Sequence, residues 1–209
     1  MTALKSVRAS VRAKPAPARA ALAKPGDKAA AKGKDKTALQ RSRGIVSSSH
    51  LVSPRSVELS EFEFGMIIAW NAFSRWAVRC MAAAGCPDLT ITDVLVLHHL
   101  NHRERNKKLA DVCFVLNYED THVVAYSLKK LVAAGLVQAG RVGKEVIYSP
   151  SPAGEAAVRQ YREVREACLI DNLNPERHVE RNADIGEMAR LLRTMSGLYD
   201  QAARAATSL

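Results

Sequence analysis

LADVCFVLNYEDTHVVAYSLKKLVAAGLVQAGRVGKEVIYSP, residues 109–150, is the stretch on which the fold turns. Leu109, Val112, Cys113 and Leu116 recur at steps of three and four, which predicts a short helix with one apolar face. The polar run Asn117–Asp120 breaks it. A second helical pattern runs from Thr121 to Ala134 and stops before Gly135, well placed as a left-handed C-terminal cap. The period then changes to alternation. LVQAG and EVIYS predict two short strands around a Gly140–Gly143 turn that carries Arg141 and Lys144. Helix, four-residue turn, helix and hairpin make a helix-turn-helix followed by a wing, a layout that puts its second helix into the major groove of duplex DNA.

A helical wheel of residues 121–134 tests that reading. Val124, Leu128 and Leu131 fall together and predict the inward face. Opposite them lie His122, Tyr126, Lys129, Lys130 and Ala133, a face with two cations and no acid. Glu119 and Asp120 precede the helix, where negative charge favours the positive end of its dipole. Such a face suits base edges and phosphates. The candidate DNA contacts are therefore Thr121, His122, Ala125, Tyr126, Lys129 and Lys130 from this helix. Arg141 and Lys144 would join them from the wing, and Arg105 and Lys107 from the polar loop NHRERNKK. The plainer alternative is the solvated side of an ordinary amphipathic helix; the wing is what favours DNA.

Outward from this core, TITDVLVLHHLN (residues 90–101) predicts a preceding helix, with Thr90 and Asp93 spaced as a capping pair. Earlier still, a long helix is expected to start at Ser60, capped against Glu63, and to stop at Gly85 or before Pro87. Phe62, Met66, Trp70, Phe73, Ala77 and Cys80 form its apolar stripe, while Ile67, Ile68 and Trp76 lie off it. Apolar residues on so much of the circumference call for cover on more than one side, part of it from a second subunit. Downstream, Ser151 and Pro152 make an N-cap and first helical position. Val158, Tyr161, Val164 and Cys168 then share a stripe. Pro175 interrupts, and a last helix carries Ile185, Met188, Leu191, Leu192, Met195 and Leu198. The expected fold is mainly α with a small β wing. A winged helix-turn-helix core (89–152) would sit between an N-terminal dimerisation helix (51–88) and C-terminal dimerisation helices (153–209).

The net charge of +10 over 209 residues suggests nucleic acid until it is located. Residues 1–50 hold twelve basic and two acidic residues, which leaves nineteen of each sign in the remainder. The globular part therefore cannot be assigned to DNA on bulk charge. The basic Ala/Lys/Pro-rich leader has almost nothing to bury and is expected to be disordered. It reads equally as a solubilising leader or as a salt-sensitive tether to phosphates. It has no apolar core of a secretory signal, and no stretch is long enough to span a bilayer, so a cytoplasmic, nucleoid-associated protein with reduced thiols is expected. The opening MTALKSVRASVRAKPAPARA, basic and poor in acids, leaves a transit peptide as the competing reading.

Three passages resemble the MarR (multiple antibiotic resistance regulator) family of bacterial winged-helix repressors. KKLADVCFVL is similar to the family's short helix with its Leu-Ala start. SLKKLVAAGLV is similar to the end of the recognition helix and its Gly-Leu-Val exit into the wing. VIYSPSPAGEAAV is similar to the second wing strand and the Ser/Thr-x-x-Gly opening of the next helix. The resemblance covers Thr90–Val158. It implies a homodimer joined through its N- and C-terminal helices, reading a pseudo-palindromic operator with half-sites about one helical turn apart. It also implies release or modulation by a small molecule or oxidant. The sequence departs from the pattern where the family often has Thr-Arg, here Ala125 and Tyr126, and in a turn that is one residue longer. A third departure is the GRVGK tip, which lacks the common acidic-x-Arg.

For sensing, Trp70, Phe73 and Trp76 could line an effector pocket, or be core and interface like most such residues. Cys80 and Cys86 could form a redox pair, although residues six apart on a helix lie on nearly opposite faces. Cys113 and Cys168 read as core. His98 and His102 are one turn apart without an acid or Cys to complete a tetrahedral set, so no metal is expected. The chain carries no G-x-S-x-G, phosphate-binding Gly loop, H-E-x-x-H or zinc-spaced Cys pair, so neither enzyme chemistry nor a cofactor is expected. Two alternatives to a regulator stay open: a nucleoid-type binder acting through the basic leader, and a winged-helix module for protein partners.

Overall fold

A computed structural model describes residues 53–102, 106–172 and 178–209. The basic leader, Arg103, Arg105 and Pro175 lie outside the described residues. In chain order the elements are α1 (Val57–Ala83), α2 (Ile91–Asn101), α3 (Leu109–Leu116), α4 (Thr121–Ala133), β1 (Val137–Val142), β2 (Glu145–Pro150), α5 (Pro152–Arg165) and α6 (His178–Ala206). The fold is mainly helical with one two-stranded antiparallel sheet, as the periodicities imply.

Two boundaries and one burial differ from the sequence reading. Helix α1 begins at Val57, three residues before Ser60. A turn in which the Ser56 amide donates to the Ser53 carbonyl at 3.1 Å delivers the chain into the helix there, and Glu58 supplies the favourable first-turn charge. Ser60 is thus buried inside the helix rather than capping it. The wing turn is also displaced. Its strands pair through Gly140 (opposite Ile147) to Val142 (opposite Glu145), so the two-residue loop is Gly143–Lys144. Gly143, at φ 62°, supplies the left-handed conformation such tight hairpins require. Finally, Cys168 is exposed, not core. A π-helical turn over Glu166–Ile170 follows α5, and its extra residue per turn carries Cys168 off the Tyr161–Val164 stripe.

The core gathers Ala77, Cys80 and Met81 of α1, Val94, Val96, Leu97 and Leu100 of α2, Val112 and Cys113 of α3, Val124, Leu128 and Leu131 of α4, and Ala157 and Tyr161 of α5. Local chemistry sets the ends of its helices. Thr90 and Asp93 form the anticipated capping box of α2. The Asp120 carboxylate caps α4 by accepting from the His122 amide at 2.8 Å. Gly135, at φ 71°, turns the chain out of α4 into β1.

The junction between the wing and α5 is tightly built. Ser151 Oγ accepts from the Gly154 amide at 3.1 Å and donates to the Gly135 carbonyl at 2.6 Å. The Ser151 amide donates to the Leu136 carbonyl at 3.0 Å. Gly154 faces that same carbonyl at a distance that leaves no room for a Cβ.

His98 of α2 lies edge-on to the Tyr161 ring, centroids 4.4 Å apart. Its Nε2 is buried and has no hydrogen-bond partner among the described residues. Burial lowers its pKa from the usual 6.5. The same direction holds for neighbouring His99, through burial and then through Lys107 and His102, with Asp111 opposing. A folded-state pKa below the unfolded value means that the unfolded chain binds more protons. Stability is then fully present above the unfolded pKa and is lost as pH falls toward the folded pKa. The thermal midpoint is therefore expected to be flat above about pH 7 and to decline below about pH 6.5. Replacing His98 with Phe should flatten part of that decline between pH 7 and 5. An identical pH profile for wild type and H98F, measured by thermal melts, would refute the assignment.

Candidate nucleic-acid interface

Helices α3 and α4 and the β1–β2 hairpin form one lobe. The inward face of α4 is Val124, Ser127, Leu128 and Leu131, all buried. Its far side is open: Thr121, His122, Lys129 and Ala133 are exposed, Tyr126 is 72% exposed, and Ala125 is half-buried. Val123, which the wheel left unassigned, is exposed at the edge of this face. Arg141 and Lys144 stand exposed on the wing. The structure thus puts Thr121, His122, Tyr126 and Lys129 on one accessible surface, with the wing cations on the hairpin that follows.

Two lysines expected on that surface are elsewhere. Lys130 turns toward α2, where its Nζ pairs with Asp93 Oδ2 at 2.7 Å and donates to the Asp88 carbonyl at 2.6 Å. The cause is angular: one residue beyond Lys129, the side chain leaves the outward face for the groove between helices. Lys107 is buried, and its Nζ donates to the carbonyls of Leu100 at 3.0 Å and His102 at 2.6 Å. It satisfies carbonyls at the C-terminal end of α2. Burial lowers its pKa, and its backbone pairs with Tyr148 of β2 in both directions, at 2.9 and 2.8 Å. Neither lysine is free to meet phosphate. Lys108, the last cation of the polar loop, ion-pairs with Glu145 beside the wing turn, and that carboxylate raises its pKa.

Asp93 is the residue whose part was least readable from sequence. Its side chain is 2% exposed. Burial pushes its carboxyl pKa up, but Lys130, the Thr90 amide, the Ser127 hydroxyl and the Thr90 hydroxyl outweigh that and hold it below the usual range. The Thr90 spacing announced a cap; nothing in the sequence announced a lysine 37 residues later.

The sensing candidates are dispersed. Trp70 and Phe73 are exposed with ring centroids 6.1 Å apart, and Trp76 packs against the core. Two open clefts lie elsewhere. One, of about 540 Å³, runs between Phe114, Tyr118 and Glu119 and the end of α6 at Asp200 and Arg204. The other, of about 500 Å³, lies between Asn101, Ser149 and Arg159. Cys80 is buried and its thiol donates to the Tyr161 carbonyl at 3.5 Å. Burial first, and then Cys168, raise its pKa, with Tyr161 and Arg165 opposing; burial alone raises that of Cys86. Both thiols are thus held protonated, the opposite of what thiolate chemistry needs. Among the described residues no group of His, Cys, Asp and Glu could hold a metal ion, and no helix is long and apolar enough to cross a membrane.

A family model described as a winged helix DNA-binding domain matches residues 89–154. No curated protein matches the chain. Several solved structures do. One is a MarR family transcription regulator, 15% identical, with a TM-score of 0.55 over 82% of this chain and 98% of its own. Streptococcus pneumoniae FabT, in complex with DNA, is 13% identical, with a TM-score of 0.54 over 66% of this chain and 99% of its own. AbfR of Staphylococcus epidermidis is 16% identical, with a TM-score of 0.51 over 79% and 99%. At these identities what is shared is the fold. Residues 89–154 match the winged helix domain model, and the chain shares its fold with solved MarR family transcription regulators.

Proposed function

We propose that the chain is a sequence-specific transcription regulator that binds a pseudo-palindromic operator as a homodimer in the cytoplasm. The observation that carries this reading is the surface of α4. Thr121, His122, Tyr126 and Lys129 stay exposed and free of acids while the opposite face is locked into the core. That arrangement offers hydrogen-bond donors, an aromatic ring and a cation to a groove, and the exposed Arg141 and Lys144 of the wing follow in the chain.

Exposed apolar side chains support the dimer. Ile67, Ile68, Trp70 and Phe73 of α1, and Ile185, Met188, Leu191, Leu192 and Leu198 of α6, are all uncovered. Apolar surface on this scale favours association. A second copy would cover it and fix the spacing of two recognition helices. A small molecule that alters that spacing would modulate binding. Cys80 is buried with its thiol donating to the Tyr161 carbonyl, which favours a small molecule over an oxidant acting there.

The test is selection of genomic fragments by the full chain at physiological salt, followed by footprinting. The expected result is a protected site with two-fold symmetry and a sedimentation profile of a dimer. Binding that is indifferent to sequence and falls steeply with salt would instead favour a nucleoid-type binder acting through residues 1–50.

A further inference from the structure

The core holds α4 through Val124, Leu128 and Leu131, a close-packed apolar contact to which polar ties add direction. Two such ties are anchored on adjacent residues at the start of α2. Before α4, the Tyr118 hydroxyl meets Thr92 Oγ1 at 3.1 Å. Near the end of α4, Lys130 Nζ meets Asp93 Oδ2 at 2.7 Å and the Asp88 carbonyl at 2.6 Å. Asp93 is itself held in place, because Thr90 donates to the same Oδ2 from its amide and its hydroxyl, each at 2.8 Å. The carboxylate is nearly solvent-free at 2% exposed, and the lysine side chain is 30% exposed. In such a setting an ion pair is sensitive to geometry and fixes an angle more than it adds stability.

We infer that Lys130 and Asp93 are positioning residues for DNA recognition: the pair sets the angle at which α4 presents Tyr126 and Lys129, and Lys130 itself touches no phosphate. This inference rests on the regulator reading of the same surface.

Binding of the full chain to its selected operator, titrated against salt, tests it. Lys130→Met is expected to weaken specific binding about ten-fold or more while leaving the slope of log affinity against log salt unchanged, because no counterion-releasing contact is lost. Lys129→Ala is expected to reduce that slope by about one. Lys130→Arg, which still reaches Asp93, should restore most of the affinity. The single Lys130→Met variant leaves a buried carboxylate without its cation and will also lose stability. The double variant Asp93→Asn/Lys130→Met removes both charges. It should recover the thermal midpoint yet remain weakened, by less than the sum of the two single changes. A drop of about one in the salt slope for Lys130→Met would make the lysine a phosphate contact and overturn the inference. Full recovery of affinity in the double variant would make the pair purely structural, with the same result. If the wild-type chain itself shows no preferred site, the regulator reading fails first; with a selective wild type, either outcome above sinks this inference alone.

Discussion

Changing Tyr126 and Lys129 together to alanine is expected to lower operator affinity by about 100-fold or more, with almost no change in the unfolding temperature. Tyr126 is 72% exposed and Lys129 is exposed, so neither contributes to the core. Surface substitutions of this kind stay within about 0.5 kcal/mol of neutral for folding. On DNA the two lose different things. A good base-edge contact is worth about 1–3 kcal/mol of discrimination, which is the loss expected at Tyr126. Lys129 loses a phosphate or guanine contact, and with it part of the salt dependence. The measurement is fluorescence anisotropy on the operator and on an unrelated duplex of the same length. Affinity for the operator should collapse toward that for the unrelated duplex. If both affinities are unchanged, α4 does not enter the groove, and the winged lobe serves a protein partner instead.

Gly154→Ala is expected to destabilise the fold by about 2–4 kcal/mol, a steric effect far from any DNA contact. A Cβ at this position would lie inside the van der Waals envelope of the Leu136 carbonyl oxygen, 3.1 Å from its carbon and 3.3 Å from Leu97 Cδ1. The obstacle is backbone, and that backbone is committed, since the Leu136 carbonyl accepts from the Ser151 amide at 3.0 Å. Relief would separate α5 from the wing or break the Ser151 cap. For a chain of this size the loss corresponds to a fall of about 5–15 °C in the thermal midpoint. Gly140→Ala is the control, because a Cβ there meets only Ile147 Cγ1 and Cδ1 at 3.6 and 3.8 Å, ordinary contact distances. Equal melting temperatures for G154A and the wild type would show that the junction can open to admit a methyl group.

Much of the fold was legible because period and cap residues are local. The apolar steps of Leu109–Leu116, the Thr90–Asp93 box, the Ser151–Pro152 start and the Gly135 exit all speak within a few residues of themselves, and all appear in the structure. The wing turn was misplaced because Gly140 and Gly143 are both plausible turn residues. The choice depends on cross-strand register, with Val142 finding Glu145. Cys168 was misread for a related reason, since a π-helical turn shifts the wheel and leaves no mark in composition.

The interface was legible in part. Tyr126, His122 and Lys129 follow from the wheel, because exposure opposite a buried stripe is geometric. Lys130 and Lys107 do not. A lysine in a polar run reads as solvated, and only the fold reveals that Asp93 lies across a helix from one and the end of α2 beneath the other. Gly154 falls between. The motif Ser-x-x-Gly resembled the opening of a helix, yet its physical reason, the Leu136 carbonyl, sits 18 residues away in the chain.

The backbone pairing of Lys107 with Tyr148 stitches the hairpin to the segment that leads into α3, and the Lys108–Glu145 ion pair lies alongside it. Through this seam the hairpin is joined to the helical part of the lobe by backbone as well as by side chain. Such a joint favours moving the lobe as a unit over bending it at the wing. On the proposed dimer, regulation would then be written in the gap between two lobes, a length that DNA measures in base pairs, rather than in any distortion of the surface proposed to meet the bases.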